Sequence, residues 1–148
     1  MEFAVNKQII SITESALTVS NSVGIYYATF TFDDTWDGWD KTAVFQLDDE
    51  TPIEVIIENG QVEIPHEVLV DKGHLTIGVY GTQDEKVMPT LYNVRVLVRL
   101  GTPTGSISTE PTPSVYAQIL EVANDAKELA ENLDYETITN TEIEALFE

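Results

Sequence analysis

The sequence predicts a mainly β fold, an antiparallel β-sandwich followed by a linker and a C-terminal α-helical tail. Three observations carry this expectation. Apolar residues alternate with polar ones in short runs before residue 100, the period-2 signature of half-buried strands. A Pro/Thr/Gly-rich segment then fills residues 101–113. Beyond it the apolar spacing changes to that of a helix. The domain boundaries follow: 1–100 for the β-domain, 101–113 for the linker, 114–148 for the tail.

Phe3 and Val5 alternate with polar neighbours, and Ile9, Ile10 and Ile12 form a short apolar run. Leu17 and Val19 alternate before Ser20-Asn21-Ser22, a turn-forming triplet. Gly24 to Phe32 is the clearest strand, with Tyr26, Ala28, Phe30 and Phe32 on one face and Tyr27, Thr29 and Thr31 on the other. Ala43–Leu47 and Ile53–Ile57 follow. Asn59-Gly60 predicts a tight hairpin into Gln61–Ile64, because both turn positions need positive φ. Leu75–Tyr80 and Leu91–Leu100 are the last strands, joined by a polar loop through Gln83, Asp84, Glu85 and Lys86. Seven or eight short strands punctuated by turns fit a sandwich or barrel.

The linker's prolines and glycines exclude a helix or an inner strand. Thr112 is placed to cap a helix whose first residue is Pro113 and which runs to about Leu133. Thr141-Glu142-Ile143-Glu144 matches a capping box for a second, short helix. Within the long helix Val115, Ile119, Val122, Ala126, Leu129 and Leu133 are spaced 4, 3, 4, 3, 4, a heptad seam. The same stripe also fits a helix docked on its own domain, but a 13-residue linker favours self-association, so these six residues form the expected oligomer interface.

Composition excludes several classes of function. The 148 residues hold 26 Asp and Glu against 7 Lys and Arg, a formal charge of −19, and the field of such a chain repels nucleic acid and anionic membranes. Residues 1–113 carry 17 acidic and 6 basic groups, residues 114–148 carry 9 and 1. Cysteine is absent, which removes disulfides, thiolate metal sites and thiol nucleophiles. The first seven residues lack the basic and apolar regions of a signal peptide, and no stretch reaches the about 18 apolar residues of a membrane span.

No catalytic residue, cofactor site or metal site is expected. The acidic cluster Asp33-Asp34-Thr35-Trp36-Asp37-Gly38-Trp39-Asp40 misses the spacing of an EF-hand calcium loop. Trp36 and Trp39 are candidate core anchors, or alternatively faces on which a sugar ring stacks. Carboxylate pairs of the kind glycosidases use arise by chance among so many acids. His66 and His74, the only histidines, stand outside metal-binding spacings. The chain has no Gly-rich phosphate loop and no nucleophile elbow.

Thr29 to Phe45, through Asp33-Asp34-Thr35-Trp36-Asp37-Gly38-Trp39-Asp40, resembles the N-terminal domain of upper-baseplate and tail-fibre structural proteins of phages and prophages of Gram-positive bacteria. Asn59-Gly60-Gln61-Val62-Glu63-Ile64-Pro65-His66-Glu67-Val68-Leu69, Gly73 to Gly81, and Thr90 to Val98 extend the resemblance over roughly residues 3–100. It implies a β-sandwich that attaches to the virion, a helical stem, a homo-oligomer of three chains and other phage structural proteins as partners. Localisation in the virion follows, after assembly in the host bacterial cytoplasm. The chain departs from that plan in lacking a distal receptor-binding part after the helix, so the resemblance implies a tail, baseplate or head-fibre component rather than a receptor binder. Two other classes compete with this expectation: an acidic inhibitor that mimics nucleic acid and blocks a host defence protein, and a carbohydrate-binding module.

Overall fold

In a computed structural model, residues 1–105 and 111–124 are described, and the chain divides into two units, 1–114 and 115–148. The first unit is mainly β, and its described residues hold ten strands in two sheets: β1 (Glu2–Asn6), β2 (Ile9–Glu14), β3 (Thr18–Val19), β4 (Tyr27–Phe32), β5 (Asp40–Leu47), β6 (Ile53–Ile56), β7 (Gln61–Glu63), β8 (Gly73–Gln83), β9 (Lys86–Pro89) and β10 (Val94–Arg99). One sheet has the order β2-β1-β4-β7. The other runs β3-β10-β8-β5-β6, with β9 paired to the far end of β8.

Alternation decides which residues enter the core. In β4, Ala28 and Phe30 are buried and Phe32 partly so, while Tyr27 and Thr31 face out. From the first sheet Phe3, Val5, Ala28 and Phe30 join Ala43, Phe45, Leu47, Leu75, Ile77, Val79, Val96 and Val98 of the second in one hydrophobic cluster. Phe3 stacks on Phe30 with ring centroids 5.2 Å apart. A 3-10 turn at His66–Leu69 adds Val68 and Leu69 to that cluster, and Asn21 donates its amide to the Leu69 carbonyl at 2.7 Å.

Four local expectations are corrected. The sheets are mixed rather than wholly antiparallel, because β1 pairs with β4, and β3 with β10, in parallel. A parallel pair requires a crossover, and the chain between β2 and β4 supplies one by lending β3 to the opposite sheet. Asn59-Gly60 does turn tightly, at φ 55° and 74°, but it joins no hairpin. It carries the chain from β6, paired with β5, to β7, paired with β4 in the other sheet, and a single bridge between Glu58 and Gln61 closes it. The polar loop after β8 is a hairpin instead: Gln83 pairs with Lys86 across Asp84-Glu85, with Asp84 at φ 55°, which adds β9. Finally, the helix is described from residue 115, not from Pro113, and the Thr112 hydroxyl donates to Glu67.

The second unit contributes that helix, α1, described over residues 115–124. The expected continuation to Leu133 and the second helix from Thr141 lie outside the described residues. No helix among the described residues is long and apolar enough to cross a membrane.

Candidate functional site

The acidic Asp33–Asp40 segment folds into a corner between β4 and β5 with a 3-10 turn at Asp34–Trp36. The amides of Trp36, Asp37 and Trp39 each close back onto carbonyls three residues earlier, at 3.1–3.2 Å. Gly38 completes the corner at φ +80°. Trp36 is driven inward to 0% exposure, where its ring sits 5.3 Å from Phe32 and its indole N–H donates to the Lys7 carbonyl at 2.8 Å. Gly81 of β8 makes room: a methyl group there would stand 2.8 Å from Trp36 Cζ3. The faces of Trp36 are therefore not accessible to a sugar ring. Trp39 is partly buried against the same core.

The carboxylate of Asp33 also serves the loop. Asp33 accepts the Lys7 amide through one oxygen at 3.2 Å and the Thr35 hydroxyl through the other at 2.6 Å. Lys41 lies over the Phe32 ring at 5.2 Å and donates to the Trp39 carbonyl at 3.2 Å. Among the described residues no group of three or more His, Cys, Asp or Glu side chains converges for a metal ion.

His66 is half-buried and His74 is exposed. His66 Nδ1 lies 3.1 Å from Glu67 Oε1, and the His74 amide donates to Asp48 at 3.0 Å. Glu67 has a role that no motif signalled. Its carboxylate accepts both the amide of Thr112, at 3.0 Å, and the Thr112 hydroxyl, at 2.7 Å. The start of the expected linker is held as well: Gly101 is buried and donates its amide to Ser20 Oγ at 2.8 Å.

The outward face of the larger sheet carries two features absent from the sequence reading. Tyr92 covers Gly78, where a methyl group would come within 2.7 Å of its ring, and its hydroxyl donates to Gln46 Oε1 at 3.0 Å. Burial raises the Tyr92 phenol above its ordinary pKa. Tyr80 on the same face is raised by burial first and by the Glu54 carboxylate, against a hydrogen bond with Thr42 that lowers it. Nearer the other end of β10, an open groove is lined by Lys72, Gly73, Leu97, Val98, Arg99 and Leu100.

Of the six seam residues, the described ones lie in α1. Val115 is half-buried, whereas Ile119 and Val122 are 53% and 44% exposed. Ala126, Leu129 and Leu133 lie outside the described residues. The chain matches no protein-family model and no curated protein.

Proposed function

We propose that this chain is a non-enzymatic structural protein of a phage particle, in the tail, baseplate or a head fibre. In this reading the two sheets form a β-sandwich that docks on neighbouring virion proteins, and the C-terminal helix joins copies of the chain into a homo-oligomer. The observation that carries it is the apolar stripe of α1, which stays exposed at Ile119, Leu120 and Val122 in a chain otherwise rich in surface charge. A lone soluble helix seldom leaves such a stripe in water, and association with like helices covers it. The phage assignment comes from the resemblance of residues 3–100. Its most distinctive stretch, Thr29–Phe45, spans β4, the tryptophan corner and β5, and sends Phe30, Trp36, Ala43 and Phe45 into the core.

Mass spectrometry of purified virions tests this reading. The chain is expected among the particle proteins in multiple copies. Absence from particles, combined with tight binding to a basic host nuclease, overturns it in favour of a nucleic-acid mimic.

A further inference from the structure

We propose that the outward face of β8 and β10 around Leu97 is a docking surface for an acidic protein segment that presents aliphatic side chains. The placement follows from strand register. Arg95, Leu97 and Arg99 alternate outward along β10, and the ladder to β8 sets Arg95 beside Thr76 and Leu97 beside His74. Parallel pairing of β3 sets Val19 beside Arg99, and the same register carried two residues back, one beyond the start of β3, brings Leu17 beside Leu97. Lys72 lines the groove at the start of β8. Leu97, at 52% exposure, therefore stands between the two arginines of β10, and Leu100, at 67%, lines the groove just past the end of the strand.

This concentration runs against the composition. Lys72, Arg95 and Arg99 are three of the six Lys and Arg residues in 1–113, a segment with 17 acids. Among the described residues none of the three forms an ion pair, although carboxylates lie close by. Asp71 is occupied with the Lys72 amide at 2.7 Å, and Asp48 with the His74 amide at 3.0 Å. Lys41, by contrast, is committed to Phe32 and the Trp39 carbonyl.

The chemistry selects the occupant. Exposed leucines gain nothing from a bare phosphate chain, and a long polyanion would bring many charges against a chain of net charge −19. Salt limits that repulsion to about 8 Å at physiological ionic strength, so a short segment feels mainly the local cations. A few carboxylates satisfy the guanidinium forks while aliphatic side chains cover Leu97. This names the contact chemistry of the docking domain. It rests on the phage reading only for the source of the segment, since the surface itself is tested without virions.

The experiment is a titration of isotope-labelled full-length chain, followed by amide shifts, with a synthetic helix-forming Leu/Glu peptide and with its Leu/Lys counterpart. Shifts confined to β8 and β10 with the Leu/Glu peptide alone are expected. Arg95→Glu with Arg99→Glu should weaken that binding about tenfold or more, and Leu97→Ser should weaken it as well. All these positions are exposed, and circular dichroism verifies that each variant folds. Absence of shifts at millimolar peptide overturns the proposal, as does indifference to the charge reversal. Equal binding of inorganic polyphosphate that ignores Leu97→Ser would make the face a plain anion site and overturn it too. Shifts on this face that grow with protein concentration alone would assign it to a second copy of the chain.

Discussion

Trp36→Ala should be among the most damaging single changes in the β-domain. The indole is wholly buried, packs on Phe32 and fills the space left by Gly81. Truncating a buried Trp typically costs about 3–5 kcal/mol, the transfer of the ring plus the cavity left behind. The lost hydrogen bond to the Lys7 carbonyl adds about 1 kcal/mol, because that acceptor loses its designated donor. The sum, near ~5 kcal/mol, is a large share of the ~5–15 kcal/mol that holds a domain of this size, so melting should fall by about 15 °C or more. Urea unfolding followed by far-ultraviolet circular dichroism measures it without relying on tryptophan emission. Trp36→Phe keeps the ring against Phe32 but cannot reach Lys7, and should lose about half as much. A Trp36→Ala cost below about 0.5 kcal/mol would refute the reasoning, since such values belong to exposed surface sites.

Gly60→Ala should cost about 1–2 kcal/mol in the same assay, because φ is +74° and the new methyl would stand 3.0 Å from the Phe30 carbonyl oxygen. Glu67→Ala should release Thr112 and speed exchange of its amide, with a stability loss of about 0.5–1.5 kcal/mol that is smaller in Glu67→Gln. Tyr80 and Tyr92 have raised folded pKa values, so the protonated phenols stabilise the fold up to the ordinary value near ~10 and that contribution disappears as pH rises through the folded values. Alkaline unfolding profiles should therefore steepen above about pH 10, and Tyr80→Phe with Tyr92→Phe should flatten them. Analytical ultracentrifugation of the full chain should show an oligomer that strengthens with salt and is lost in Ile119→Asp with Leu129→Asp, whereas a monomer at high micromolar concentration would end the association argument.

What could be read from the sequence is what local pattern encodes. The β4 alternation was legible because one face of that strand meets the core and the other meets water, so each residue reports its own side. The Asn59-Gly60 turn was legible for the same reason, since positive φ is a property of those two residues. Which strands a turn connects is not local. β5 on one side and β4 on the other claim the segments flanking Asn59-Gly60, and nothing between Ile53 and Ile64 announces that choice. The direction of the β1–β4 pair was hidden likewise, because side-chain alternation is identical in parallel and antiparallel ladders. The corner's tryptophans stood out by type, but the depth of Trp36 depends on a carbonyl 29 residues away and on Gly81. The cationic face is assembled from β8, β10 and the loop before β8, so no linear motif contains it.

If copies of the chain associate through α1 as proposed, the geometry of that helix bears on how many would meet. At about 100° per residue, Val115, Ile119 and Val122 fall within roughly 60° of one another. Tyr116 and Leu120, both exposed, extend that apolar surface on one side until the arc from Val122 to Leu120 covers about 160°. A two-stranded coiled coil buries only the narrow seam, which would leave Tyr116 and Leu120 in water. Two neighbouring helices cover a wider arc than one, so the apolar term favours three or more chains. Opposing this, residues 114–148 carry 9 acidic groups and 1 basic, and parallel copies bring those charges together. Each exposed like-charge pair costs tenths of a kcal/mol, while each buried Leu or Ile contributes about 1.5–3 kcal/mol. In the proposed assembly burial would outweigh this repulsion, and by more if each helix had two neighbours. In that assembly the acidic groups would act on specificity instead: they would penalise any packing that turns Glu121 inward, leaving the apolar arc to set the register.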